Sequence, residues 1–204
     1  MIFYLPPERE KPASALGRMA IPTPAECWRF MEQYGMLPHI REHSLLVTDA
    51  ALWLTRGLIS AGLTLNLPLI EAGALLHDLG KTPCLGTMKN HAEWGAQVLE
   101  RLGYPAVAQI VREHVSLDEQ IKDERPVREA EVVNYADKRV LHTRIVSLNQ
   151  RFADLRERYG QNAEVLARII RNEQRSLALE QKLFAYLPCP PDALLHLNLR
   201  RREP

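Results

Sequence analysis

The sequence has few cysteines, and none is placed to bind zinc or to build a disulfide framework. Cys27, Cys84 and Cys189 are the three cysteines of a 204-residue chain, and they form no CxxC pair. Both kinds of site need closely spaced cysteines. The sequence therefore predicts a protein of a reducing cytoplasm. Its 46% apolar and 25% charged residues are typical of a soluble globular protein.

An excess of one charge is also lacking, because the formal net charge is +1. Proteins that hold nucleic acid through its phosphates usually carry a clear basic excess, so a nucleic-acid partner is disfavoured. The charges are unevenly spread, since residues 125–204 hold 15 Lys+Arg against 10 Asp+Glu. This basic part either faces an anionic substrate or forms an arginine-rich solvated surface.

Long apolar runs and alternating strand patterns are missing as well. The one segment that resembles a membrane span, residues 57–76, contains Asn66, Pro68 and Glu71. It reads better as a helix end, a turn and a new helix, so no membrane is expected. The N-terminal residues show no basic leader, and we expect no signal peptide. No stretch alternates apolar and polar residues, which predicts an all-α fold without strands.

What the sequence does have is helical periodicity over most of its length. The proline-bearing residues 1–24 are predicted to form an extended N-terminal arm. Residues 25–148 are predicted to form a helical core, and residues 149–204 a C-terminal helical extension packed on that core in one structural domain. The predicted helices span about residues 25–34, 38–58, 69–79 with a stop at Gly80, 91–103, from 105 onward, 128–159 and 163–187.

Two polar residues end the apolar segment "LLHDLGK", namely His77 and Asp78. Burying an ionised carboxylate without a compensating cation costs many kcal/mol. Neighbouring residues on a helix point about 100° apart, so both reach one point only away from the helix axis, where a bound ion would lie. Imidazole and carboxylate together suit divalent Fe, Mn, Co, Ni or Zn.

Further ligand candidates lie on two other predicted helices. His43 extends an apolar stripe with three- and four-residue steps, and it is therefore predicted to point inward. His39 extends the same stripe by one more turn and competes with His43. Asp137 lies among Val133, Ala136 and Val140, so it is predicted to face the interior too.

The order His43, His77-Asp78, Asp137 resembles that of the HD superfamily of metal-dependent phosphohydrolases, most closely the HDIG-type subgroup. The stretch "EHSLLVTDAALWL" is similar to the first-histidine helix of the family, "ALLHDLGKT" to its signature loop and "NYADKRV" to its final-aspartate helix. Leu79 stands where the family usually has Ile. The resemblance covers about residues 37–148, and it implies an all-α helical bundle of the HD-domain type.

The resemblance also implies a second metal ion. Members with two metals carry extra ligands between the central pair and the last aspartate, where this chain has His91 and His114, and their central aspartate bridges both ions. The cofactors implied are two divalent ions, Fe or Mn first, with Co, Ni, Mg or Zn as alternatives. The full predicted ligand set is His43, His77, Asp78, His91, His114 and Asp137.

The activity implied is hydrolysis of a phosphoester or phosphoanhydride bond in a small nucleotide-like substrate, since paired cations activate water and neutralise a phosphoryl oxygen. Asp78 and Lys81 are the predicted catalytic residues. Lys81 also has a simpler reading as a cation at a helix C-terminus. Arg139 and Arg144 are predicted anion clamps or solvated surface residues. His142 is predicted to line the substrate pocket or to form a local hydrogen bond.

A second function fits the same ligand order, and a third belongs to related domains that have lost ligands, whereas all six positions are filled here. Some relatives are di-iron oxygenases, and some related domains only bind nucleotides as regulatory modules. The arm and the C-terminal helices also leave room for a homodimer. A nuclease is less favoured, because no basic stretch rich in aromatic residues is present.

Overall fold

The computed structural model describes residues 20–117 and 126–197. The predicted arm lies largely outside these residues. The prediction of an all-α fold is confirmed, apart from one small two-stranded ribbon. Within the described ranges, no helix combines the length and apolarity needed to cross a membrane.

The elements follow one another with short connections. The described helices and strands are α1 (Pro24–Gln33), α2 (Pro38–Ser60), α3 (Leu67–Leu76), α4 (Lys81–Cys84), α5 (His91–Arg101), α6 (Pro105–Glu113), α7 (Glu129–Lys138), β1 (Val140–Leu141), β2 (Arg144–Ile145), α8 (Leu148–Tyr159), α9 (Ala163–Phe184) and the 3-10 helix Pro191–His196.

Local capping explains where several helices begin. Asn66 accepts a hydrogen bond from the backbone N–H of Leu69 at the start of α3, and Ser147 forms a capping box with Gln150 at the start of α8. Asn90 caps α5 by accepting hydrogen bonds from the backbone N–H groups of Ala92 and Glu93, whereas the side chain of Glu93 accepts a hydrogen bond from Arg112. These caps satisfy N–H groups that a helix end leaves without partners.

Helix α3 occupies the centre of the core. It packs against α2, α6, α7 and α1, and within Leu69–Leu76 only Glu71 retains noticeable exposure. Gly73 permits the contact with α6, because a Cβ there would lie 2.6 Å from the side chain of Ile110. The near-continuous apolar sequence of α3 is thus explained by burial on most sides.

The predicted helix 69–79 is too long, because α3 ends at Leu76 and residues 77–80 form a turn. Gly80 does not stop a helix through a left-handed conformation, since its φ is −80°. A Cβ at Gly80 would instead lie 2.1 Å from the backbone oxygen of His91. Glycine is needed there so that the turn and the start of α5 can approach each other.

The predicted helix 128–159 is wrong in its middle, and the prediction that strands are absent fails at the same place. After α7 the chain forms an antiparallel ribbon in which Val140 pairs with Ile145. The turn is made by His142, which has a positive φ of 55°. Such a conformation usually selects glycine, so the sequence carries no warning of this turn.

Two charged contacts fasten α9 to α7. The ammonium of Lys182 lies 2.8 Å from Oε1 of Glu131, and both side chains are buried. One turn further along α7, Glu180 accepts hydrogen bonds from the Tyr135 hydroxyl (2.5 Å) and from Arg139 (3.1 Å). The helix that carries Asp137 is therefore held on its opposite side by the C-terminal part of the chain.

We expect Gly80→Ala to destabilise the protein by about 3 kcal/mol, because the added methyl group meets backbone that cannot move aside alone. Gly57→Ala is the matched control, since its Cβ meets only the flexible tip of Leu187 and alanine favours a helix. Urea unfolding followed by circular dichroism measures both. Equal stabilities of the two variants would contradict the close approach at Gly80.

Candidate metal centre

The fold brings the six predicted metal ligands together in two adjacent groups. One group consists of His43, His77 and Asp137, and the other of Asp78, His91 and His114. Within each group the ligand atoms lie within 4.8 Å of one another. These residues come from five helices or their ends. The contact between His43 of α2 and Asp137 of α7 joins residues that are 94 positions apart in the chain.

Two of the histidines sit at the ends of helices and cap them. His77 follows the last residue of α3, and its Nδ1 lies 2.8 Å from the carbonyl oxygen of Ala74. His114 follows the last residue of α6, and its Nδ1 lies 2.6 Å from the carbonyl oxygen of Val111. The final carbonyls of a helix lack partners, so each imidazole donates there through Nδ1. Each Nε2 is thereby directed into the site.

His43 is oriented in the same way by the β-ribbon. Its Nδ1 lies 3.0 Å from the carbonyl oxygen of His142 in the turn, and its Nε2 lies 3.1 Å from Oδ1 of Asp137. The competing His39 is exposed, whereas His43 is buried. The structure therefore places His43, and not His39, in the site.

His91 completes the second group from the first position of α5. Its Nε2 lies 3.3 Å from Nε2 of His114 and 3.5 Å from Oδ1 of Asp78. Its side chain is 30% exposed, so this group is the more accessible one.

Asp78 lies between the two groups and turns one oxygen to each. Its Oδ2 is 3.4 Å from Nε2 of His77 and 2.8 Å from the ammonium of Lys81. Its Oδ1 is 3.5 Å from Nε2 of His91 and 3.7 Å from Nε2 of His114. The other ligand carboxylate, Asp137, contacts His43 and His77, which belong to one group.

The two carboxylates stay ionised although they are buried. Burial alone would raise the pKa of Asp78, but the cation of His77, the neighbouring His114 and the ammonium of Lys81 hold it well below its ordinary value. Burial also opposes ionisation of Asp137, whose pKa is lowered mainly by the ammonium of Lys138 and by His43. The site is thus ready to bind cations at neutral pH.

The surroundings shift the pKa values of the histidines in opposite directions. Burial acts to lower the pKa of His77, yet Asp78 and Asp137 together raise it to about 10. For His91, burial and the neighbouring His114 lower the pKa to about 4. Burial likewise lowers the pKa of His114. The imidazole of His77 is therefore positively charged at neutral pH, whereas those of His91 and His114 are neutral and can bind a metal ion through Nε2.

The donor set fits divalent metal ions. Nε2 of His77 is buried and has no hydrogen-bond partner, which is costly for a polar atom unless something binds to it. Four imidazoles and two carboxylates form a mixed nitrogen and oxygen set, which suits Fe, Mn, Co, Ni or Zn.

The residues predicted to bind substrate are only partly brought together. Lys81 reaches Asp78 and leaves 45% of its side chain exposed, and it begins α4, so its reading as a helix C-terminal cation is not supported. The side chain of His142 lies 2.7 Å from Arg158 of α8, and its role in substrate binding stays a prediction. Arg144 is exposed on β2 and stays a prediction.

The prediction of Arg139 as an anion clamp is wrong. Its side chain is 1% exposed and donates hydrogen bonds to the carbonyl oxygens of Val146 and Pro191, to Tyr135 and to Glu180. A guanidinium with these partners has no donor directed to the site. The helical position suggested the role, whereas the fold turns the side chain toward α9.

Sequence reasoning also missed residues that contact the ligands. The ammonium of Lys138 lies 2.7 Å from Oδ2 of Asp137 and 3.0 Å from the carbonyl oxygen of His114. The side-chain amide of Asn134 donates to the same carbonyl at 2.9 Å. The only available signal was the position of Lys138 directly after a predicted ligand.

Residues 40–140 match the family model of the HD domain, and this stretch contains all six candidate ligands. The chain belongs to the HD domain family. The HD domain chain is also 27% identical over 144 residues to the uncharacterized protein MJ0778 of Methanocaldococcus jannaschii, a match that covers 65% of this chain and 84% of that relative. A search of the solved structures gives no match.

Family membership and site geometry agree at a coarse level. The HD domain places this chain in the superfamily of metal-dependent phosphohydrolases, and the structure brings together two His/Asp groups that could hold metal. The expectation of a metal-binding site is therefore supported by both the family and the structure.

We expect His43→Ala to lose most of the bound divalent metal, whereas His39→Ala, an exposed histidine on the same helix, keeps it. The wild-type protein should gain about 2.7 kcal/mol of stability at a metal concentration 100 times the dissociation constant. Elemental analysis and thermal unfolding with and without Mn²⁺ measure both effects. Equal metal contents in the two variants would remove His43 from the site.

Metal binding should release about one proton per chain near pH 7, because His77, with its pKa raised to about 10, must lose its Nε2 proton to become a ligand. Lowering the pH strengthens this competition, so affinity should fall. Titration calorimetry in buffers of different ionisation enthalpy counts the protons. Heats that are independent of the buffer would be inconsistent with a protonated His77.

Proposed function

We propose that this HD domain protein hydrolyses a phosphoester or phosphoanhydride bond of a small nucleotide-like substrate at a centre of two divalent metal ions. The observation that carries the proposal is the position of Asp78, which directs Oδ2 toward the group of His43, His77 and Asp137 and Oδ1 toward His91 and His114. One ion would be held by His43, His77, Asp137 and Oδ2 of Asp78. The other would be held by His91, His114 and Oδ1 of Asp78.

Charge favours an anionic substrate. The two ligand carboxylates, Asp78 and Asp137, are each paired with an ammonium, from Lys81 and Lys138 respectively, and the remaining donors are imidazoles. The protein therefore neutralises little of the charge of two divalent ions, and anions are required to complete the site. A phosphoryl group supplies that charge. When bound, such ions polarise a phosphoryl oxygen and make water more acidic.

Lys81 is the protein's own cation at the boundary between the site and solvent. Its ammonium holds Oδ2 of Asp78 at 2.8 Å while the side chain remains half exposed. Burial acts to lower the pKa of Lys81, but Asp78 outweighs it and leaves the pKa raised. The ammonium thus stays charged at neutral pH and can donate to a phosphoryl oxygen that enters from solvent.

Purified protein loaded with Mn²⁺ or Co²⁺ should hydrolyse a chromogenic phosphodiester or a member of a nucleotide panel, and Asp78→Ala should abolish this activity. Absence of turnover on every phosphorus ester at full metal occupancy would refute the proposal. Iron-loaded protein with a mixed-valent signal and oxygen uptake would indicate the di-iron oxygenase instead. Nucleotide binding without either reaction would indicate a regulatory module.

Lys81→Met should lower kcat/KM by about 10- to 100-fold, which corresponds to the loss of one charge-assisted hydrogen bond. Metal content should stay at the wild-type level, because an ammonium is not a ligand. Lys89→Met, at an exposed lysine in the following loop, is the control. If both variants show the same activity, Lys81 does not contact the substrate.

A further inference from the structure

The two oxygens of Asp137 have different partners. Oδ1 lies 3.1 Å from Nε2 of His43 and 3.6 Å from Nε2 of His77, and it faces the ligand group. Oδ2 lies 2.7 Å from the ammonium of Lys138. Asp78 differs, because both of its oxygens face imidazoles. Its Oδ2 also contacts an ammonium, but that of Lys81, whose side chain is 45% exposed and therefore less fixed than that of Lys138. Asp137 thus has one oxygen available to an ion, and Lys138 occupies the other.

Lys138 is fixed in this position from a second direction. Its side chain is 10% exposed, and its ammonium also donates to the carbonyl oxygen of His114 at 3.0 Å. Asn134, one turn earlier on α7, donates to that same carbonyl. His114 belongs to the other ligand group, so Lys138 connects a ligand carboxylate of one group with the backbone of the other.

We infer that Lys138 is a positioning residue that restricts Asp137 to a single ligating oxygen. A carboxylate can bind a metal through one or two oxygens. Two-oxygen binding here would break a buried charge-assisted hydrogen bond and leave the ammonium without that partner. The ion held by His43, His77 and Asp137 therefore keeps a coordination position that the protein does not fill. Catalytic metal sites characteristically keep such a position.

The inference rests on the metal binding in the proposed function and not on the reaction. A simpler role is conceivable, in which Lys138 only ties α7 to the end of α6. The chain offers a matched control for this role in Lys182, another buried lysine that pairs with a carboxylate of α7 at 2.8 Å but contacts no candidate ligand. Replacing either kind of lysine should lower the stability of the protein, but only replacement of a positioning lysine should change the spectra of the metal-loaded protein.

The test compares Co²⁺-loaded wild type, Lys138→Met and Lys182→Met, using visible absorption and infrared difference spectra of protein labelled with ¹³C at aspartate carboxyl groups. In Lys138→Met we expect Asp137 to bind through both oxygens. The frequency difference between the asymmetric and symmetric carboxylate stretches of Asp137 should decrease. The visible absorption bands of cobalt should weaken as its coordination number rises. Lys182→Met should lose stability and keep the wild-type spectra, and Lys138→Arg should retain them too.

Unchanged spectra in metal-loaded Lys138→Met would overturn the inference. If that variant does not fold, the loaded wild-type protein decides alone, because a two-oxygen signature for Asp137 would also overturn it. This signal is assigned by its absence in Asp137→Asn. Neither result depends on turnover, so failure to hydrolyse phosphorus esters would refute the proposed function and leave this test intact.

Discussion

The carboxylate of Asp78 is 2% exposed, and an ionised group at that depth must be surrounded by cations or hydrogen-bond donors. The ammonium of Lys81 lies against one oxygen, and imidazoles from α3, α5 and α6 or their ends lie around both. The turn that carries Asp78 follows α3, a helix that is buried over most of its length. Two of the helices that pack on α3 also supply partners of this carboxylate, since α6 ends at His114 and α2 carries His43, 4.0 Å from Oδ2 of Asp78, which links the core and the site.

The ends of helices orient several of the candidate metal ligands. At His77 and His114, the unpaired carbonyls that end a helix accept the Nδ1 proton and direct Nε2 into the site. His43 uses the carbonyl of His142, in a turn with positive φ, for the same purpose. Backbone groups that need partners and imidazoles that need a fixed orientation satisfy each other, so orientation requires no additional acidic side chain at these three positions.

The sequence predicted the helices and the ligands better than the surroundings of the ligands. Periodicity placed His43 on the inward face of α2, and the resemblance supplied His91 and His114, which no local pattern singles out. The ribbon after α7 was missed because His142 holds a conformation usually reserved for glycine. The carbonyl of His142 could not be predicted either, because every residue has one. Lys138 was overlooked since its role depends on two contacts, one of them 24 positions away.

Arg139 shows why charge alone misplaces function. A guanidinium two residues after a ligand aspartate suggests an anion clamp, yet its partners come from 41 and 52 positions further along the chain, at Glu180 and Pro191. Lys182 likewise turns inward, to Glu131. Some of the basic residues among 125–204 therefore hold α9 against α7. Because α7 carries Asp137 on one side and these contacts on the other, α9 supports the helix that supplies a candidate metal ligand.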